Sequence, residues 1–132
     1  MRPRHALLAL ALAVPACAPA LHTSVARRVV VERLFFGRNV QGTPAVTDSA
    51  WAVFLAEVVT PRFPGGFTQW PASGQWRGEG GRLEREGSYV LELVHAASTR
   101  ADSAVAAIIS EYKRRFAQES VLRVVMPGRA NF

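Results

Sequence analysis

Tyr89-Val-Leu-Glu-Leu-Val-His95 and the stretch that follows it, Ala96-Ala-Ser-Thr99-Arg-Ala-Asp-Ser-Ala-Val105-Ala-Ala-Ile108-Ile-Ser-Glu-Tyr112-Lys-Arg-Arg-Phe116, decide the fold, because the apolar period changes between them. In the first, Tyr89, Leu91, Leu93 and His95 share one face and Val90, Glu92 and Val94 the other, the two-residue period of a strand. From Thr99 onward, Ala101, Val105, Ile108, Ile109, Tyr112 and Phe116 recur at helical spacing and make one apolar stripe. Val121 to Met126 then reads as a closing strand, with Pro127-Gly128 expected to stop it.

Upstream the same order repeats. Arg28 to Phe36 is β-branched and aromatic and ends at Gly37, a first strand. After a turn-rich segment with Gly42 and Pro44, Thr47 or Asp48 can cap a helix whose Trp51, Phe54, Leu55, Val58 and Val59 fall on one face, with Pro61 as its end. Pro64-Gly65-Gly66 forces a turn into a short strand, Phe67 to Trp70, expected to break at Pro71 to Gly74 and resume at Gln75 to Arg77. A proline there assigns this strand to a sheet edge, where no ladder donor is missed. Gly78-Glu-Gly-Gly81 is the hairpin tip before the strand quoted first.

The order β-α-β-β-α-β predicts an α+β fold, the ferredoxin-like sandwich: a four-stranded antiparallel sheet with two helices on one face. Strands one and three would be central. The other face would be bare, which makes a homodimer through it an expectation.

The amino terminus carries an address. Arg2 and Arg4 precede an apolar run from Ala6 to Val14, and Val14-Pro-Ala-Cys17 resembles a bacterial lipobox, with Pro15 departing from its usual residue. The predicted organisation is a lipoprotein signal peptide at 1–16, a lipid-anchored tether at 17–26 and one α+β domain at 27–132. Lipid on Cys17 would hold the protein to the membrane of a bacterial envelope, facing the periplasm or the exterior. Two alternatives stand beside it: cleavage at Ala18-Pro-Ala20 for plain secretion, and a retained helix, which Pro15 and Pro19 disfavour by interrupting a run shorter than the roughly 20 residues a span needs. Cys17 is the only cysteine, so the fold holds without a disulfide.

With 49% hydrophobic and 20% charged residues the chain is that of an ordinary globular domain. The net charge is +6, and 15 of the 16 basic residues are Arg, but they are scattered along the sequence rather than interleaved with aromatics. No nucleic-acid partner is expected. Arg114 and Arg115 follow Lys113 near a helix end, where cations complement the helix dipole; attraction to anionic headgroups is the alternative use of such charge.

Leu34-Phe-Phe-Gly-Arg38, Trp51-Ala-Val-Phe-Leu-Ala-Glu-Val-Val-Thr-Pro-Arg-Phe-Pro64, Gly66-Phe-Thr68, Gly74-Gln-Trp-Arg-Gly78 and Gln118-Glu-Ser-Val-Leu-Arg-Val124 together resemble domain-of-unknown-function family 3574, a set of small bacterial exported proteins and lipoproteins. The resemblance covers roughly Val29 to Met126. It implies an envelope setting and supplies no activity, so no catalytic residue is carried over.

Residues that could carry chemistry are few. His95, at the end of a central strand, is the best single candidate because imidazole is the side chain suited to proton exchange, but it has no evident sequence partner; a polar strand terminus is its bland reading. Glu92 and Glu32 lie in the central strands as a carboxylate pair, against the commoner use of each in a cross-strand salt bridge to Arg33 or Arg123. Arg62, Trp76 and Arg77 form Arg-aromatic groupings that could clamp a carboxylate or stack on a planar ligand, or serve as ordinary structural pairs. These five, Arg62, Trp76, Arg77, Glu92 and His95, are the candidate ligand or partner residues. The spacing of His and Cys suits no metal, and no cofactor is expected. The reading favoured is a noncatalytic envelope module that binds a protein or small ligand. The alternative is a small enzyme resembling the dimeric α/β-barrel cofactor-independent oxygenases or isomerases, a fold-level analogy. A closed apolar pocket holding His95 or Glu92 beside arginines would favour the enzyme; a filled sheet face with exposed Trp or Arg would favour binding.

Overall fold

The computed structural model of the protein describes residues 25–40 and 43–131. The expected signal peptide, Cys17, most of the tether, His22 and Gly42 lie outside these residues.

The first strand, β1 (Arg27–Gly37), is followed by a two-residue ladder of β2 (Asn39–Val40) and β3 (Thr43–Pro44). Thr47 caps α1 (Asp48–Phe54), its hydroxyl accepting from the Ala50 N–H at 3.1 Å. The helix runs on through a π-helical turn at Leu55–Val59 and gives way to turns at Thr60. Then come β4 (Thr68–Arg77), a tight turn at Glu79–Gly81, β5 (Leu83–His95), α2 (Thr99–Phe116) and β6 (Leu122–Ala130). The main sheet has the order β4-β5-β1-β6, all antiparallel. Two helices cross between its parallel strand pairs, which makes the domain a ferredoxin-like α+β sandwich with the first and third long strands in the centre.

Three strand limits differ from those expected. β5 begins at Leu83 rather than Tyr89, because its first half pairs with the second half of β4. The other two differ for one reason. β4 is continuous from Thr68 to Arg77, with Pro71 in register opposite Tyr89, and β6 runs past Met126 through Pro127 and Gly128 to Ala130. Both are edge strands, so a proline can turn its donorless nitrogen away from the neighbouring strand without costing a ladder bond. The hairpin tip matches expectation: Gly80 and Gly81 adopt φ of 79° and 80°, a region open to glycine at no steric cost.

Alternate residues of β1 and β5 face the helices. Leu34, Phe36, Leu91 and Leu93 meet Trp51, Phe54, Val58 and Val59 of the first helix and Val105, Ile108 and Tyr112 of the second, all buried. The core is aromatic. Trp51 stacks on Tyr89 with ring centroids 4.5 Å apart, and Phe36, Phe54, Tyr112 and Phe116 close edge to face around them, pairings of about 0.5–1.5 kcal/mol each beyond the area they bury. Three hydrogen bonds tie this core to the far end of β1: Tyr112 donates to the Gly37 carbonyl, Gln118 to the Asn39 carbonyl, and the Asn39 N–H to Glu86.

Candidate functional site

Glu32 is the single buried charged residue among those described, 1% exposed in the middle of β1 on the helix side. Its position follows from register: alternation puts residues 32, 34 and 36 on the core face, and a carboxylate there must be paired to be tolerated. Arg123, on the neighbouring β6, donates from Nε to Oε2 at 2.5 Å and from Nη2 to Oε1 at 3.0 Å. The same Nη2 reaches Asp102 in the first turn of α2 at 2.5 Å. His95, at the end of β5, places Nε2 3.1 Å from Glu32 Oε1, while its Nδ1 lies 2.9 Å from the Ala96 carbonyl. The ring thus spans the Ala96 carbonyl and the Glu32 carboxylate, one on each nitrogen. The Phe63 ring closes the other side of the imidazole, with centroids 5.6 Å apart.

The result is a ladder of charge from the interior to solvent: Glu32 buried, His95 and Arg123 half-covered, and the Asp102 side chain 68% exposed. Hydrogen bonds to Glu32 first, then to Asp102, push the Arg123 guanidinium far above its ordinary value, so it is cationic at every accessible pH. Both Glu32 oxygens are occupied, and no buried polar side-chain atom among the described residues lacks a partner. A carboxylate held this way braces β1, β6 and α2 against one another. It has no free oxygen aimed at a substrate.

A second polar cluster sits at the other end of the sheet. Arg38 lies over the Tyr89 ring, 4.6 Å from its centroid, and donates to Asp48 at 2.9 Å and to the Val46 carbonyl at 2.9 Å. The Tyr89 hydroxyl also donates to Asp48. That bond, followed by the Arg38 charge, lowers the Asp48 carboxyl below its usual range, while burial first and the Asp48 bond second push the Tyr89 phenol up to about 12.

The structure disperses the five sequence-predicted residues. His95 joins the Glu32 cluster, so its partner is 63 positions away in the chain. Glu92 lies on the bare face, its carboxylate 2.6 Å from Arg33. Arg62 donates to the Val58 carbonyl at 2.7 Å, finishing the first helix, and Arg77 donates to the Gly81 carbonyl at 2.9 Å, closing the hairpin. Trp76 is half exposed on β4 opposite Glu84, eleven residues along β5 from His95, or about 36 Å at the usual strand rise, so Arg62 and Trp76 do not share an edge. The Glu32–Arg123 and Glu92–Arg33 pairs are the cross-strand bridges weighed for these carboxylates; Asp102, and the joining of His95 to the cluster, are what sequence reading missed. Two strands and a helix bring Glu32, Arg123 and Asp102 together.

Among the described residues no grouping of three His, Cys, Asp or Glu side chains is placed to hold a metal ion. An open groove of about 470 Å³ lies on the helix side between Ser49, Ala50 and Val53 of α1 and Arg115 and Phe116 of α2, away from the Glu32 cluster.

Comparison with known proteins agrees with the fold and leaves the chemistry open. No curated protein matches the sequence. Among solved structures, a phage SAM lyase in complex with S-methyl-5'-thioadenosine superimposes with a TM-score of 0.58 at 19% identity, covering 79% of this chain and 90% of that one. The same lyase in its apo state gives 0.57 at 19% identity, over 78% and 89%. This likeness is one of fold. Residues 31–132 match a family described as "Protein of unknown function (DUF3574)", and the chain belongs to that family.

Proposed function

We propose that the chain is a lipid-anchored domain of the bacterial envelope that works by binding rather than by catalysis, through the bare face of its sheet. The observation that carries this reading is the contrast between the two faces. The helix side is filled by aromatic side chains and a satisfied ion cluster. The other face sets Val94 and Leu122, 41% and 60% exposed, near the central Arg33–Glu92 pair, and Trp76, 50% exposed, farther out where β4 and β5 run past β1. An apolar surface centred on one cation and one anion suits a second copy, because a two-fold axis brings each charge to its opposite. Light scattering on the purified protein tests this: a dimer that Val94→Asp/Leu122→Asp converts to a folded monomer supports it, and a wild-type monomer at every concentration removes the dimer. The anchor has its own test, incorporation of a fatty-acid probe that Cys17→Ser abolishes.

One observation favours a second reading, an enzyme: the fold shared with the phage SAM lyase. S-adenosylmethionine is the compound to try. Turnover by the wild-type chain to S-methyl-5'-thioadenosine would replace binding by catalysis, and calorimetry showing no heat with either compound would leave binding standing.

A further inference from the structure

Sheet topology gathers onto one end of the domain charges that are scattered in the sequence. The start of β1, the ends of β5 and β6, the turn after the first helix and the first turn of α2 all meet there. That end carries Arg27, Arg28, Arg62, Arg100 and Arg129, every one exposed. None lies within ion-pair distance of a carboxylate among the described residues, and Glu32 on β1 and Asp102 on α2 are both engaged by Arg123. Arg28 and Arg129 are direct cross-strand partners, an arrangement of like charges that disfavours the ladder unless an anion offsets it. Asp48, Glu84, Glu86, Glu111 and Glu119 sit toward the opposite end, at or beyond the other termini of the same strands and helices, where the basic residues stand among carboxylates, as in the Arg38–Asp48 and Arg114–Glu111 pairs.

The described residues begin at this same end, at Val25. We propose that this end is a docking surface for an anionic phospholipid bilayer, with the arginines meeting headgroup phosphates and the sheet standing away from the membrane. Guanidinium suits this role because its planar donors match phosphate oxygens in pairs and it is charged at every accessible pH. The inference does not depend on lipid at Cys17, and the test excludes that lipid.

Full-length Cys17→Ser protein is sedimented with vesicles of phosphatidylcholine alone and of phosphatidylcholine mixed with phosphatidylglycerol; the apolar run at Ala6–Val14 contributes equally to both, so the ratio reports charge, and Arg2 and Arg4 are common to every variant, so differences between variants report the domain. The ratio is expected to exceed one and to collapse at about 0.5 M salt, where screening acts within about 5 Å. Arg28→Gln/Arg129→Gln should weaken the anionic binding about 25-fold, at roughly fivefold per arginine. Arg28→Lys/Arg129→Lys should retain it, and Arg82→Gln/Lys113→Gln at the opposite end should leave it within about twofold. Unchanged binding by the Arg28/Arg129 glutamine pair, or equal loss in the opposite-end pair, overturns the proposal. So does full competition by inorganic pyrophosphate, which would make a soluble anion the ligand.

Discussion

Replacing Arg123 by alanine strands the Glu32 carboxylate in the core with His95 as its remaining side-chain partner. Breaking a buried ion pair from one side costs about 3–5 kcal/mol, because the abandoned charge keeps its desolvation penalty. Arg123 is itself 27% exposed, and the space it leaves can admit water, so the lower figure, about 3 kcal/mol, is the expected loss. For a domain of this size each kcal/mol moves the melting midpoint by about 4–8 °C, giving a fall of about 12–24 °C. Urea denaturation followed by circular dichroism at neutral pH measures the loss directly, and the slope should hold if only stability has changed. The double variant Glu32→Met/Arg123→Met removes the charge together with its partner and should recover to within about 1 kcal/mol of wild type, since apolar replacement of a whole buried pair is often neutral. A loss below about 1 kcal/mol in Arg123→Ala, or a double variant no more stable than the single one, would refute the reasoning.

Two further outcomes follow from the polar cluster around Tyr89 and from the first helix. Tyr89 is raised to about 12, by burial and then by Asp48, and burial raises Tyr112 as well; a raised folded value means that stability is whole below pH 10 and is lost as pH climbs through the folded values, so tyrosinate absorbance should appear together with unfolding near pH 12. Independent ionisation of either tyrosine near pH 10 in the folded protein would contradict this. Thr47→Ala removes the hydroxyl that caps α1 and should cost about 1 kcal/mol in the same urea assay, whereas Thr47→Ser, which keeps the acceptor, should cost a few tenths.

Sequence reading reached the architecture because local pattern carries it: strand alternation at Tyr89–His95, helical spacing from Thr99, and a cap at Thr47 each announce themselves within a few residues. It failed where the answer depended on neighbours far along the chain. Pro127 looks like a terminus only if the strand has partners on both sides; on an edge it is tolerated, and that tolerance puts Arg129 opposite Arg28. His95 and Glu32 are joined by a register that no local pattern encodes, whereas the bridge from Glu32 to Arg123, 91 positions away, is one of the cross-strand pairs the strand order suggests. Arg62 and Arg77 drew attention by their aromatic neighbours, yet each spends a hydrogen bond on a nearby carbonyl, a use that composition cannot distinguish from ligand binding.

Both outer strands of the sheet carry a proline, Pro71 on one side and Pro127 on the other. Each interrupts the row of free donors along its rim, so neither offers an unbroken template for ribbon growth from copy to copy. On the lipid surface proposed above, copies would meet far more often than in solution, and the two prolines would then discourage open-ended assembly. The proposed contact across a face would close after two copies and go no further.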